Sequence, residues 1–298
     1  MTKTFCGTFT MMITPIDQSG GVNLKALEAL TEWQINEGIH GLIPLGSTGE
    51  FLSMSPDERT AIAETVIKTA RGRVPVLIGT GAEDTRYVVG LSREAERLGA
   101  DGVLIIPPFY ATPTVPELIH HYKTVADAIS IPIMVYNNPA TSNIDLKPEI
   151  VAKLSEIEGC RYIKESTLEV TRIRDIQRLC GDRMTVFGGI LGYESFVSGA
   201  AGWTCVASNP APSIMARIFD LVQDGKPKEA HALYLEWFPI IDAVFALKYV
   251  AGSKSLLNHM GFPAGPPRPP RLPLPKAEDD QMRKLVTKFG LRFADPSA

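Results

Sequence analysis

The chain has 298 residues, 45% of them hydrophobic, a size that suits one large domain or one domain with an appendage. A net charge of −3 at pH 7 argues against nucleic acid or an anionic membrane surface as a partner, and no apolar run is long enough to span a bilayer. Cys6, Cys160, Cys180 and Cys205 are scattered without a CxxC pair or Cys/His ligand spacing, which excludes a disulfide framework and a structural zinc site.

Short apolar runs alternate with helical patterns along most of the chain. A strand over 7–14 precedes a helix over 24–38, for which Asn23 is the N-cap. A strand over 41–45 follows, and Ser55-Pro56-Asp57-Glu58 then opens a helix: an N-cap, a proline in the first turn and acids at the positive helix end. Further strands are predicted over 75–79, 102–106, 132–136, 161–164, 184–187 and 202–206, and further helices over 85–98, 115–129, 147–154, 169–179, 194–199 and 211–224. The strands are rich in Val, Ile, Leu and Phe without clean alternation, the pattern of strands covered on both faces. Eight strand–helix units predict an α/β fold, a closed (β/α)8 TIM barrel over 1–224. A doubly wound sheet is the alternative, but no GxGxxG turn supports it.

The pattern changes after Asp224. Helices are predicted over 230–238 and 240–259, then a proline- and glycine-rich stretch over 261–275 that can be neither helix nor central strand, then a last helix over 277–289. Residues 225–298 are predicted to be a helical appendage packed on the barrel.

In a (β/α)8 barrel, chemistry gathers at the C-terminal ends of the strands. Three segments fall there. Lys164 lies in the apolar run Tyr162-Ile163-Lys164-Glu165, and a lysine in such surroundings can shed its proton and act as an amine nucleophile toward a carbonyl. Gly46-Ser47-Thr48-Gly49-Glu50 follows the second strand, where two glycines around two hydroxyls permit a tight turn with exposed N–H groups that suits a carboxylate. Tyr136, in Tyr136-Asn137-Asn138-Pro139, ends the fifth strand with a phenol able to relay protons. Each has a plainer explanation taken alone: a snorkelling lysine, a helix-capping turn, a tyrosine at the edge of the core. Their convergence on one barrel mouth is what those explanations do not predict.

Together GSTGE, YNNP and IKES resemble the dihydrodipicolinate synthase/N-acetylneuraminate lyase family of class I aldolases and lyases, and the similarity runs from Met12-Ile13-Thr14-Pro15 past Arg268-Pro269-Pro270. The resemblance implies that Lys164 forms a Schiff base with a pyruvate-type 2-keto acid and that Tyr136 transfers protons. It further implies that Gly46, Ser47 and Thr48 bind the keto-acid carboxylate, Ser47 linking Tyr136 to Tyr110 of a neighbouring subunit. Ser166, Gly188 and Thr204 would line the pocket. It implies a covalent Schiff base and no separate cofactor, no metal and a homotetramer arranged as a dimer of dimers. A reduced cytoplasmic compartment is expected from the scattered cysteines and from an N-terminus without a charged segment followed by a long apolar stretch. His120 and His121 are adjacent and His40, His231 and His259 lack paired spacing, which agrees with a metal-free reaction.

Two positions depart from the best-known relatives. Thr141 stands where dihydrodipicolinate synthases resemble one another in carrying a substrate-binding arginine, and Ile190-Leu191 stands where sialic acid lyases carry an acidic pair. Losing a guanidinium removes a charge-assisted contact, and an apolar pair suits a polyhydroxylated tail poorly. The expectation is a lyase, aldolase, dehydratase or deaminase of a smaller or less polar keto acid. 4-Hydroxy-tetrahydrodipicolinate synthase, pyrroline-4-hydroxy-2-carboxylate deaminase and 2-keto-3-deoxy sugar acid dehydratase are alternatives. A non-catalytic keto-acid-binding protein is the alternative from another class.

Overall fold

The structure is a computed structural model that describes residues 4–245 and 248–296. Its backbone groups into two compact units: one joins residues 8–76 with the stretch from 205 onward, the other joins Gly7 and the residues before it with 77–204.

The first unit holds β1 (Gly7–Met11) from Thr8 onward, α1 (Leu24–Asn36), β2 (Gly41–Ile43) and α2 (Pro56–Ala70). β1 and β2 run parallel with Phe9 opposite Gly41 and Met11 opposite Ile43. The expected caps are present. Asn23 Oδ1 accepts from the Ala26 N–H at 3.0 Å, and at α2 Ser55 and Glu58 satisfy each other's backbone N–H groups at 3.2 and 2.9 Å.

The second unit carries the repeated part: β3 (Leu77–Gly79), α3 (Thr85–Leu98), β4 (Gly102–Ile105), α4 (Val115–Ala126), β5 (Ile133–Asn137), α5 (Pro139–Ser142), α6 (Pro148–Leu154), β6 (Cys160–Glu165), α7 (Thr171–Cys180), β7 (Thr185–Gly188), α8 (Tyr193–Val197) and β8 (Gly202–Cys205). Successive strands from β3 to β8 pair in parallel. Their residues are buried almost throughout, as strands covered on both faces must be. The eight strands form one sheet in the order β2-β1-β8-β7-β6-β5-β4-β3, and Leu42 of β2 bridges in parallel to Val76, just before β3. This is the expected (β/α)8 barrel.

The remaining helices, α9 (Pro212–Gln223), α10 (Pro227–Ala243), α11 (Tyr249–His259) and α12 (Lys276–Phe289), belong to the first unit. The stretch 262–275 between the last two contains no helix, as its prolines require.

Three expectations are corrected. The break predicted at Pro239 is absent: α10 runs through it, because Tyr234 on one side and Ile240 and Ile241 on the other are buried and packing outweighs the one lost backbone hydrogen bond. The helix predicted over 240–259 is instead divided, with α10 ending at Ala243 and α11 starting at Tyr249, and residues 246–247 of that prediction lie outside the described residues. After Tyr136 the chain forms one helical turn, α5, in the stretch between 136 and 147 for which no element was predicted, because Pro139 sits at its first position with φ already helical.

Candidate active site

β5, β6 and β7 set the register of the site. Tyr136 pairs with Lys164, and Lys164 pairs with Phe187, so these three residues occupy one level of the sheet. Lys164 is 4% exposed and Tyr136 6%. Lys164 Nζ lies 4.1 Å from the centroid of the Tyr136 ring, and Tyr136 Oη accepts a hydrogen bond from Asn138 Nδ2 at 2.9 Å. Neither residue ends its strand as expected. Each is followed by one further paired residue, Asn137 and Glu165.

Those following residues point to the opposite face by strand alternation, and they fix the strand ends. Asn137 Nδ2 donates to Glu165 Oε2 at 2.8 Å, Asn137 Oδ1 accepts from the Leu146 N–H at 3.0 Å, and Glu165 Oε1 accepts from the Thr167 N–H at 2.8 Å. The backbone continues the pattern, with Ser166 N–H donating to the Asn137 carbonyl at 2.9 Å and Gly189 N–H to the Glu165 carbonyl at 2.7 Å. Burial raises the Glu165 carboxyl above the usual range, and hydrogen bonds from Asn137 and Thr167 oppose it. The IKES and YNNP motifs are therefore stitched together behind the lysine and tyrosine.

Ser166 is 4% exposed and its hydroxyl has no hydrogen-bond partner among the described residues. Gly189 makes room for it, because a Cβ there would overlap the Ser166 hydroxyl. Gly188 closes β7, and its carbonyl accepts from Thr204 Oγ1 at 3.2 Å. Ile190 follows half-buried. Lys164, Tyr136, Gly188 and Thr204 thus lie on neighbouring strands, and Ser166 directly follows β6. Thr141 and Tyr110 do not join them within this chain. Thr141 is exposed on α5 with its hydroxyl donating to the Asn138 carbonyl at 3.3 Å, and the Tyr110 side chain is 89% exposed.

The loop that carries Tyr110 is nonetheless built. Glu83 accepts from the N–H groups of Phe109, Tyr110 and Ala111 at 2.7, 2.8 and 3.3 Å, and Asn143 Nδ2 donates to the Phe109 carbonyl at 3.0 Å. Glu83 escaped the sequence reading, whereas Asn143 belongs to the segment after YNNP that was expected to choose the leaving group. Asn143 takes φ 56° at the end of α5, a conformation that Asn tolerates.

In the other unit, Gly46-Ser47-Thr48-Gly49-Glu50 forms the expected turn after β2, with Ser47 half-buried and Thr48 3% exposed. The strained positions are not the glycines. Leu45 at φ 58° and Glu50 at φ 57° take the left-handed conformation, at a cost of about 1 to 3 kcal/mol each. Gly49 serves close approach instead: a Cβ there would lie 2.9 Å from the Leu45 nitrogen and 3.1 Å from the Met12 carbonyl oxygen.

Among the described residues, no group of three or more His, Cys, Asp or Glu side chains is placed to hold a metal ion, and no helix is long and apolar enough to cross a membrane.

A (β/α)8 barrel with a buried lysine near the C-terminal end of its sixth strand and a tyrosine beside it defines the class. The chain belongs to the dihydrodipicolinate synthetase family, which it matches over residues 4–289. It is 36% identical over 289 residues to a protein of Acidiphilium cryptum named 4-hydroxy-tetrahydrodipicolinate synthase, covering 96% of this chain and 99% of that one. Among solved structures it is similar to the chloride-inhibited dihydrodipicolinate synthase of Acinetobacter baumannii complexed with pyruvate, with 30% identity, a TM-score of 0.93 and coverage of 97% and 100%. It is similar also to the dihydrodipicolinate synthase of Aquifex aeolicus, with 29% identity, a TM-score of 0.93 and coverage of 97% and 99%.

Proposed function

We propose that this chain is a Schiff-base-forming lyase of pyruvate-type 2-keto acids, with Lys164 as the nucleophile. The observation that carries the reading is the buried Lys164 amine 4.1 Å from the Tyr136 ring on the paired strand. Its relatives are synthases by name, and the pyruvate complex of the A. baumannii protein supports a keto acid as the first substrate.

In this reading the Lys164 amine adds to the C2 carbonyl, and the carbinolamine loses water to leave an iminium. The iminium accepts the electron pair when a bond to C3 breaks, either a C3–H proton or the C3–C4 bond, giving an enamine. After C3–C4 cleavage the enamine is protonated at C3. After C3–H loss it instead expels a C4 group, which leaves with a proton as water or ammonia. In either case water then adds to the iminium, releases the keto acid and restores the amine. Tyr136 carries protons to and from the carbinolamine oxygen, with its hydroxyl oriented by Asn138. Ser47, Thr48 and the Gly46 backbone hold the carboxylate, while Ser166, Gly188 and Thr204 line the pocket. No metal or further cofactor takes part. Tyr110 serves a neighbouring subunit within a homotetramer, which agrees with its solvent-facing ring.

The leaving group is where this chain is set apart from the synthases it resembles. Thr141 turns its hydroxyl onto its own helical turn and offers no charge to a distal carboxylate, and Ile190 offers none to a sugar. A compact keto acid undergoing aldol cleavage, dehydration or deamination fits better than the 4-hydroxy-tetrahydrodipicolinate synthase reaction, which stands as the second reading on the names of the relatives. The test is turnover with a panel: pyruvate plus aspartate semialdehyde, a 2-keto-3-deoxy sugar acid, 4-hydroxy-2-oxoglutarate and a hydroxylated pyrroline carboxylate, each with Lys164→Ala as control. Turnover of one of the last three above the first supports the proposal. Preference for aspartate semialdehyde restores the second reading.

A further inference from the structure

The turn that carries Ser47 and Thr48 is held by a buried ion pair from the C-terminal part of the same unit. Glu50 closes the turn and is 1% exposed. Its N–H donates to the Ser47 carbonyl at 3.2 Å, so the conformation of Glu50 and the position of Ser47 are joined by one hydrogen bond. Its carboxylate meets Lys254 Nζ of α11 at 2.6 Å and accepts from the Arg268 backbone N–H at 2.8 Å. Lys254 is itself 1% exposed and donates a further hydrogen bond to the Pro266 carbonyl at 2.9 Å.

The stretch that supplies Pro266 and Arg268 is clamped in turn. The Arg268 guanidinium donates to the Gly20 carbonyl at 2.7 Å, to the Ser53 carbonyl at 2.8 Å and to both Glu58 oxygens at 2.7 and 2.5 Å. A second anchor acts from below the turn, where Thr14 Oγ1 donates to the Gly49 carbonyl at 2.8 Å.

Two features say that this arrangement exists to hold the turn and is not a by-product of packing. Left-handed Leu45 and Glu50 bracket Ser47 and Thr48, and such backbone persists only where its surroundings over-determine it. A fully buried lysine–carboxylate pair is also a poor device for stability alone, since apolar residues of similar volume serve that purpose as well or better. Burial pulls the Lys254 ammonium below the ordinary lysine range, and the Glu50 charge opposes that shift.

We infer that Lys254 is a positioning residue for the Ser47–Thr48 turn, setting the geometry in which those hydroxyls and N–H groups meet the substrate carboxylate. It acts through Glu50 and touches no reacting atom. The inference rests on the assignment of that turn to carboxylate binding.

The test compares wild type, Lys254→Met, the paired variant Lys254→Met with Glu50→Gln, and Lys254→Arg. The paired variant removes both charges together, so a folding defect from one orphaned charge does not decide the outcome. Hydrogen–deuterium exchange is read on the peptides covering 44–51 and 160–166, and borohydride trapping on Lys164 is titrated with pyruvate. In the paired variant, exchange rises in 44–51 and stays at the wild-type level in 160–166. Half-saturating pyruvate rises about tenfold to a hundredfold while the maximum trapped fraction is unchanged. Lys254→Arg restores most of both. Wild-type exchange in 44–51 overturns the inference, as does a rise of equal size in both peptides. Faster exchange in 44–51 with unchanged half-saturation confirms the tether and overturns its role in carboxylate binding. A wild type that traps no keto acid instead overturns the proposed function, and the exchange at 44–51 still decides the tether.

Discussion

Lys164 and Tyr136 divide the proposed chemistry between a nucleophile and a proton carrier, so their substitutions separate. Lys164→Ala abolishes adduct formation and reduces turnover to background. Tyr136→Phe keeps the ring that packs against the lysine and loses only the hydroxyl, so the Lys164 adduct still forms, slowly, and kcat falls by roughly 10²- to 10⁴-fold. Rapid-quench trapping beside steady-state assays checks both. Glu58 makes a pH prediction. Its hydrogen bonds from the Arg268 guanidinium pull its carboxyl down from 4.5 to about 2. A carboxyl depressed in the folded state contributes stability above its unfolded value and loses it as pH falls toward the folded one. Thermal midpoints of wild type therefore fall between about pH 4.5 and 2 more steeply than those of Glu58→Gln.

At the scale of elements, α3 and α4 are joined by a buried histidine. His121 Nδ1 lies 2.9 Å from Thr85 Oγ1, and burial pulls the imidazole down from 6.5 to about 4. The unfolded chain binds this proton more readily, so acidification from pH 6.5 to about 4 destabilises the fold. His121→Gln flattens that part of the stability–pH curve, as chemical denaturation at several pH values will record. Pro239 within α10 offers the opposite kind of test. A proline inside a helix removes a hydrogen bond and crowds the carbonyl four residues before it, and its unfolded-state benefit is smaller. Pro239→Ala stabilises the protein by about 1 kcal/mol, seen as a raised thermal midpoint. This helix also marks where sequence reasoning stops. Strands and caps were legible because apolar runs, Asn23 and Ser55-Pro56-Asp57-Glu58 act locally. The passage through Pro239 was not, because it depends on which distant surfaces bury Tyr234 and Ile241.

At the scale of the whole molecule, the eight-fold repeat and the parallel sheet were legible in the alternation of apolar runs and helical patterns. So was the meeting of Lys164 with Tyr136, since barrel topology brings strand ends together whatever their distance in sequence. The supports were hidden. Lys254 and Glu50 are separated by most of the chain, and nothing in either local pattern announces the other. The stitch between Asn137 and Glu165 was hidden likewise, behind motifs whose neighbours drew attention. Assembly belongs to this scale too. With the Tyr110 ring in solvent and its loop fixed by Glu83, the account expects a tetramer in sedimentation velocity at micromolar concentration and a loss of activity on dilution to monomer. A fully active monomer would remove Tyr110 from the site.

The central claim is that Lys164 forms an iminium with a 2-keto acid. Borohydride reduction in the presence of pyruvate, followed by peptide mass spectrometry, reads it directly. The account predicts one stable adduct per chain, located on Lys164 and absent in Lys164→Ala. A folded protein that gives no adduct with any keto acid, or an adduct on another lysine that survives Lys164→Ala, would contradict it.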